Sequence, residues 1–180
     1  MASKIKVDTL ETANGSGTIA LSNQLSGMTT ASLPALTSAE MPSGSVLQVI
    51  SATNTNTANG GFLLTTTSTA YVSVPLVVSI TPSSTSSKIM ILVNTTTYRA
   101  ATGYLTLYRG STNIAGTNGL ANPSGSSSSR FEPVSFSYLD SPNTTSSVQY
   151  TLYARTASGT LYVGGDGDLI NSITVMEIKG

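Results

Sequence analysis

From Gly44 onward, apolar and polar side chains alternate in short runs separated by Gly, Pro, Asn and Ser. Val72, Val74, Leu76, Val78 and Ile80 share one phase of a period-two repeat, as do Val134, Phe136 and Tyr138, and again Val148, Tyr150, Leu152 and Ala154. Successive side chains of a β-strand point to opposite faces, so this spacing gives each strand one apolar face. The pattern predicts strands over 46–52, 62–66, 71–80, 88–95, 103–109, 130–139, 147–155, 160–163 and 172–178. Many short strands with turn residues between them predict an all-β fold, an antiparallel sandwich or barrel.

Two of these runs are apolar in both phases. Ile89 to Val93 is apolar at every position, and Ile173 to Ile178 carries Ile173 and Val175 on one face with Met176 and Ile178 on the other. A two-sheet sandwich buries one face of each sheet, so the second apolar face needs another cover, most simply a neighbouring subunit.

Residues 1–44 differ in character. Ile5, Val7 and Thr9 alternate with Lys6, Asp8 and Leu10, then NGSG and a short run from Thr18 to Leu21 lead into small and polar residues. That is too little apolar matter to close a core, so the segment is expected to pack on copies of itself or on another protein, or to stay flexible. Thr29 to Pro42 reads as a connector, with a helical turn near Ser38 to Met41. The expected division is therefore 1–44 and 45–180. Further on, Thr81 to Ser87, Asp140 to Ser147 and Gly164 to Asp168 carry turn chemistry. Gly110 to Ser129 is rich in Ser, Gly and Asn and reads as a long loop projecting from one end of the sandwich, where binding loops are often placed.

Composition narrows the chemistry. His, Cys and Trp are absent, there are 8 acidic and 8 basic residues, and Ser with Thr makes up roughly one residue in three. Catalytic acid–base work, thiol chemistry and most transition-metal sites draw on the missing residues. No Ser-His-Asp arrangement is possible, a Ser-Lys dyad is unsupported because Lys88 is the one lysine between Lys6 and Lys179, and SGSSSS at Ser124 to Ser129 is low complexity. Sugar-cleaving activity would require paired carboxylates, and only Asp166 and Asp168 are paired by spacing. The chain is read as not an enzyme.

A formal net charge of zero, with no run of Lys or Arg, leaves no footprint for nucleic acid. No apolar stretch approaches the ~20 residues of a membrane-spanning helix, so membrane insertion is not expected. The amino terminus has two lysines but no apolar signal run, which places the start of the mature chain at or near Met1. At 9% charged residues, against roughly 25% in ordinary soluble proteins, hydroxyls and amides must supply the solubility.

Two sets of residues are candidates for binding. Asp166 and Asp168 in GGDGD have the spacing of a calcium loop but lack its distal Glu, so an ordinary turn is the stronger reading; calcium is the one cofactor in question. Beyond the first strands lie Tyr98, Tyr104, Tyr108, Tyr138, Tyr150, Tyr153 and Tyr162, several near Arg99, Arg109 and Arg155. Such pairs stack on sugars or on protein, and they also simply fill pleated surfaces. With the long loop, they nominate Tyr104, Tyr108, Arg109, Asn113, Asn118, Asn122 and Arg130 as contacts for a sugar or protein partner. Glycosylation sequons at Asn14, Asn94 and Asn143 are expected by chance in so Asn- and Thr-rich a chain.

SKIKVDTLETANGSGTIALSNQLSG (Ser3 to Gly27) resembles the amino-terminal and shaft segments of bacteriophage virion fibre proteins, especially those of phages of marine or freshwater bacteria. MPSGSVLQVISAT (Met41 to Thr53), SITPSSTSSKIMILVN (Ser79 to Asn94), YLTLYRGSTNIAG (Tyr104 to Gly116), SFSYLDSPNTTSSVQYTLYARTASGTLYV (Ser135 to Val163) and ITVMEI (Ile173 to Ile178) are similar, in order and spacing, to that family's terminal domain. The resemblance implies a homotrimer with a jelly-roll-like head, like those of the complement and tumour-necrosis-factor families, made in the host cytoplasm and carried on the virion. It implies docking on other virion proteins through residues 1–44 and contact of the head with a host surface glycan or protein. The extension is shorter than the long shafts of many fibres, so a stubby appendage or a capsid or tail-hub decoration fits equally, and no fixed receptor-binding residues carry over.

Overall fold

The computed structural model describes residues 37–55, 61–99, 102–123, 130–165 and 169–180, with Arg99 and Arg130 described in their backbone alone. Residues 1–36, and with them most of the expected docking segment, lie outside the described residues. Within these, the strands are β1 (Val46–Asn54), β2 (Leu64–Thr66), β3 (Val72–Ile80), β4 (Lys88–Arg99), β5 (Gly103–Arg109), β6 (Thr112–Asn113), β7 (Arg130–Asp140), β8 (Val148–Thr156), β9 (Leu161–Val163) and β10 (Asn171–Ile178). No described helix is long and apolar enough to cross a membrane.

Every strand pairing is antiparallel, and the strands form two sheets. Sheet A runs β1-β10-β4-β9-β2, with β7 also on β4; sheet B runs β3-β8-β5-β6. Because β7 pairs with β4 from Ile89 to Arg99, both β10 and β9 must share the other edge of β4. There β10 takes Lys88 to Asn94 and β9 takes Thr97 to Arg99. Sheet A is thus one continuous strand pair, β4 and β7, flanked on one side by two short stacks in succession. The all-β antiparallel expectation holds, and the strand boundaries fall close to those read from the sequence.

The inner faces close on each other. Ile89, Ile91, Val93, Ile173, Val175, Leu161 and Val163 from sheet A meet Val74, Leu76, Val78, Ile80, Leu105, Leu107, Leu152 and Ala154 from sheet B, all buried. Full burial of one such side chain stabilises by roughly 1.5–3 kcal/mol. The single salt bridge among the described residues, Arg109 with Asp140, is part-exposed on the arginine side, and such pairs are worth about 1 kcal/mol or less. Apolar packing therefore decides the fold.

Strand β3 is irregular between Ser73 and Val77, and Pro75, which has no N–H to give a ladder, sits inside that irregularity. The Pro75 carbonyl instead accepts the Asn54 side-chain amide, and Gln48 Nε2 donates to Thr81 O at 2.8 Å. These bonds tie β1 of one sheet to β3 and its exit in the other.

The compact unit begins at Thr37. Thr37 and Glu40 bond each other in a turn, close to the helical turn expected there. Lys179 Nζ donates to the carbonyls of Ala39 and Met41, while Gly44 and Ser45 exchange backbone bonds with Lys179. The connector is thereby fastened to the last residues of the chain.

At that same end, one inward row crosses sheet A as Gln48, Glu177, Ile89 and Asp140. Glu177 is fully buried, and its partners among the described residues are neutral. Its carboxylate accepts from Gln48 Nε2 at 2.6 Å, from Ser83 N and Oγ at 2.7 Å, and from Ser87 Oγ at 2.6 Å. Burial alone pushes this carboxyl up; the bonds from Ser87, Gln48 and Ser83 together outweigh it and hold the group below its ordinary value of 4.5. A lowered folded pKa means the group's contribution is complete above 4.5 and is lost as pH falls through the folded value. Glu177→Gln should cost about 1.5–3 kcal/mol near neutral pH and flatten the loss of stability on acidification. Thermal unfolding of both proteins between about pH 7 and pH 3 checks this; parallel curves would refute it.

Candidate functional site

The outer face of sheet B gathers aromatic side chains. Period two turns Tyr104, Thr106 and Tyr108 of β5 outward, together with Thr151, Tyr153 and Arg155 of β8. Register then sets Tyr104 opposite Arg155 and Thr106 opposite Tyr153. Tyr108 and Tyr153, diagonal neighbours, stack with centroids 3.9 Å apart and planes at 23°. The Arg155 guanidinium lies 3.9 Å from the centroid of Tyr104 and 5.2 Å from that of Tyr71, just before β3.

The chain after β5 completes the site. Gly110, at φ 57°, turns the chain into β6, which pairs Asn113 with Tyr108. Asn113 pins the residues on either side of it: its Oδ1 accepts from Thr106 Oγ1 at 2.8 Å and Ala115 N at 3.1 Å, and its Nδ2 donates to Gly116 O at 2.9 Å. Leu120 N donates to Leu105 O, Leu105 N to Ala121 O and Gly103 N to Pro123 O. The described part of the 110–129 segment therefore lies along the edge of β5, correcting the expectation of a loop projecting from the sandwich. Tyr71 Oη donates to Thr117 O at 3.2 Å beside an open cleft of about 560 Å³ lined by Thr69, Ala70, Tyr71, Asn113, Thr117 and Arg155.

The nominated contacts scatter over this geometry. Tyr104 lies under the Arg155 guanidinium and Tyr108 stacks on Tyr153, Asn113 is held by structural bonds, and exposed Asn118 offers Oδ1 to Arg155 Nη2 at 3.5 Å. Asn122 is exposed one residue beyond the Leu105–Ala121 bridge. Arg109 lies on the other phase of β5 and donates to both Asp140 oxygens at 3.0 Å. Asp140 also accepts from Tyr150 Oη at 2.7 Å; burial first, and this bond next, push the Tyr150 hydroxyl far above its ordinary pKa. The Arg130 side chain, Asp166 and Asp168 lie outside the described residues. Tyr71 and Arg155, central to the cleft, are not among the contacts nominated from sequence. The alternation of β8 turns Arg155 outward with Tyr153, but its meeting with Tyr71 depends on register and loop path.

The outer face of sheet A is of a different kind. One row across it reads Val49, Met176, Met90 and Leu139, with Val49 56% and Leu139 46% exposed. Further along the same face Phe62, Tyr98, Phe131 and Tyr162 pack together with centroids 4.7 to 6.2 Å apart. Between these lie hydroxyls and amides such as Ser51, Thr174, Asn94 and Ser135.

Among the described residues no three of His, Cys, Asp and Glu gather as a metal set. Asp140 and Glu177 are two strands apart, about 10 Å by strand spacing, but both point into the core and are bound by structural partners. That arrangement serves the packing of the fold. The sequence matches no protein-family model and no curated protein.

Gly119, at φ 70°, has no room for a Cβ, which would overlap the Leu105 carbonyl oxygen and approach Tyr71 Oη. Gly119→Ala should unseat the segment from β5 at a cost of roughly 1–3 kcal/mol. Faster amide exchange at Leu105 and Leu120, with the rest of β5 still protected, is the expected signature; unchanged protection would contradict the seating.

Proposed function

We propose that the chain is a non-enzymatic virion protein of a bacteriophage, a fibre-like appendage that assembles as a homotrimer and attaches to the host surface. The observation that carries this reading is the outer face of sheet A. It bears an apolar row and an aromatic cluster at separate levels, while Lys88 is the one charged residue among its described outward positions on β4 and β10. A face so poor in charge and so rich in half-buried Met, Leu and aromatic side chains suits copies of itself, since identical subunits bring no charge complementarity. Assembly through sheet A leaves the tyrosine-bearing face of sheet B outward for a receptor. The resemblance of the sequence to phage fibre proteins supplies the setting, with residues 1–36 as the docking segment. The jelly-roll description of the head belongs to this same reading.

The second reading is a capsid or tail-hub decoration that uses the same assembly face and binds no receptor. Particles that adsorb normally without the protein would favour it over attachment.

Light scattering of the full chain should give a trimer, and Met176→Lys, which sets a charge in the middle of the apolar row, should shift it to monomer with the β-sheet signal retained. A wild-type monomer would overturn the assembly. Deletion of residues 2–36 should leave a folded β domain that no longer enters particles; particles retaining it would count against docking through that segment.

A further inference from the structure

The two arginines of sheet B have opposite fates. Arg109 faces inward and commits its guanidinium to Asp140. Arg155 faces outward, takes part in no salt bridge among the described residues, and lines the cleft. Its Nη2 donates two long hydrogen bonds, 3.4 Å to Thr117 O and 3.5 Å to Asn118 Oδ1. A guanidinium has five N–H donors in one plane. Its central carbon sits 3.9 Å over the Tyr104 ring, which restrains the group, and both bonds use Nη2.

We propose that this cleft is a subsite for a carboxylate-bearing sugar, with Arg155 gripping the carboxylate and Tyr71 packing against the sugar ring. An arginine pre-set by an aromatic ring loses little freedom on forming a forked bond with a carboxylate, and none of the residues lining the cleft is acidic. The cleft is a wide, open groove of about 560 Å³, with room for a sugar residue lying along the surface. Hydroxyls of Thr69 and Thr117, the Thr117 carbonyl and the Tyr71 ring give mixed polar and apolar walls, suited to a sugar's hydroxyl edge and C–H face. An extended peptide is better served by a free strand edge with side-chain pockets, and the edge of β5 here is already covered by residues 112–123. The inference deepens the attachment reading and rests on it for the source of the sugar, an acidic polysaccharide of the host surface.

Calorimetry on the full-length protein with trimers of galacturonate, guluronate and mannuronate, with neutral maltotriose, and with acetate alone tests it. At least one acidic trimer should bind about tenfold or more tighter than both maltotriose and acetate. Arg155→Gln should abolish that binding, and Arg155→Lys should weaken it about tenfold, because a point charge does not replace the fork. An unchanged melting temperature for Arg155→Lys shows that the loss is not one of folding; a fallen melting temperature would assign Arg155 to structure and overturn the proposal. Failure of all three acidic trimers, equal binding of maltotriose, acetate binding as tightly as the trimers, or undiminished binding by Arg155→Gln would each overturn it too. Particle adsorption separates the two readings: if Arg155→Gln particles adsorb normally while particles lacking the protein do not, attachment stands and the cleft falls. If acidic trimers bind the wild type but particles lacking the protein adsorb normally, the cleft stands and attachment falls.

Discussion

Strand β4 is the constraint on which the rest of the structure depends. Its 12 residues give one edge wholly to β7 and divide the other between β10 and β9. No other strand touches both halves of sheet A, so the alternation of β4 sets the inward phase for all of them. Ile89, Ile91 and Val93 go into the core, and Met90, Leu92 and Tyr98 go out. A one-residue slip would exchange these sets and bring Lys88 and Asn94 inward, so the pairing is tightly specified.

With the apolar core fixed by β4, the scarce charges are used at its ends. Asp140 and Glu177 flank Ile89 in one row, each buried and each satisfied by hydroxyl, amide or guanidinium donors. Higher on the inner face, Asn171 accepts from Thr95 and donates to the Asn54 and Leu169 carbonyls. A charge in the interior is costly unless it is hydrogen-bonded, and this chain supplies those donors from Ser83, Ser87, Gln48, Tyr150 and Arg109. The hydroxyl-rich composition is thus part of how the sandwich closes, as well as a substitute for surface charge.

Much of this is legible from periodicity, because strands with one buried face announce themselves residue by residue. The strands over 72–80 and 103–109 show it, and the two-faced runs at Ile89 and Ile173 do carry apolar side chains on the outer face of sheet A. The features that periodicity misses have a common cause. Thr96 to Arg99 extends β4 beyond the expected strand end without apolar alternation, although Thr favours strands. The seating of Leu120 and Ala121 on β5 uses backbone bonds, which leave no side-chain signature beyond the glycine at 119. Glu177 lies in an apolar run, on the phase of Ile173 and Val175, yet its donors come from β1 and the Thr81–Ser87 connection, distant in sequence. The cleft depends on register in the same way: Tyr71, Thr117 and Arg155 meet only after three separate pairings are made.

Arg109 and Arg155 are held in different ways in this chain with so few charges. Both stand beside tyrosines on one sheet, and sequence proximity nominates the first. In the fold Arg109 is bound to Asp140, and Tyr150 shares that carboxylate. In an ordinary surface, with about one residue in four charged, an arginine lacking a carboxylate is unremarkable. Here, with 9% charged residues, Arg155 sits beside two tyrosine rings and makes no salt bridge among the described residues. In the proposed cleft, a carboxylate from outside the fold takes the place of an acidic partner.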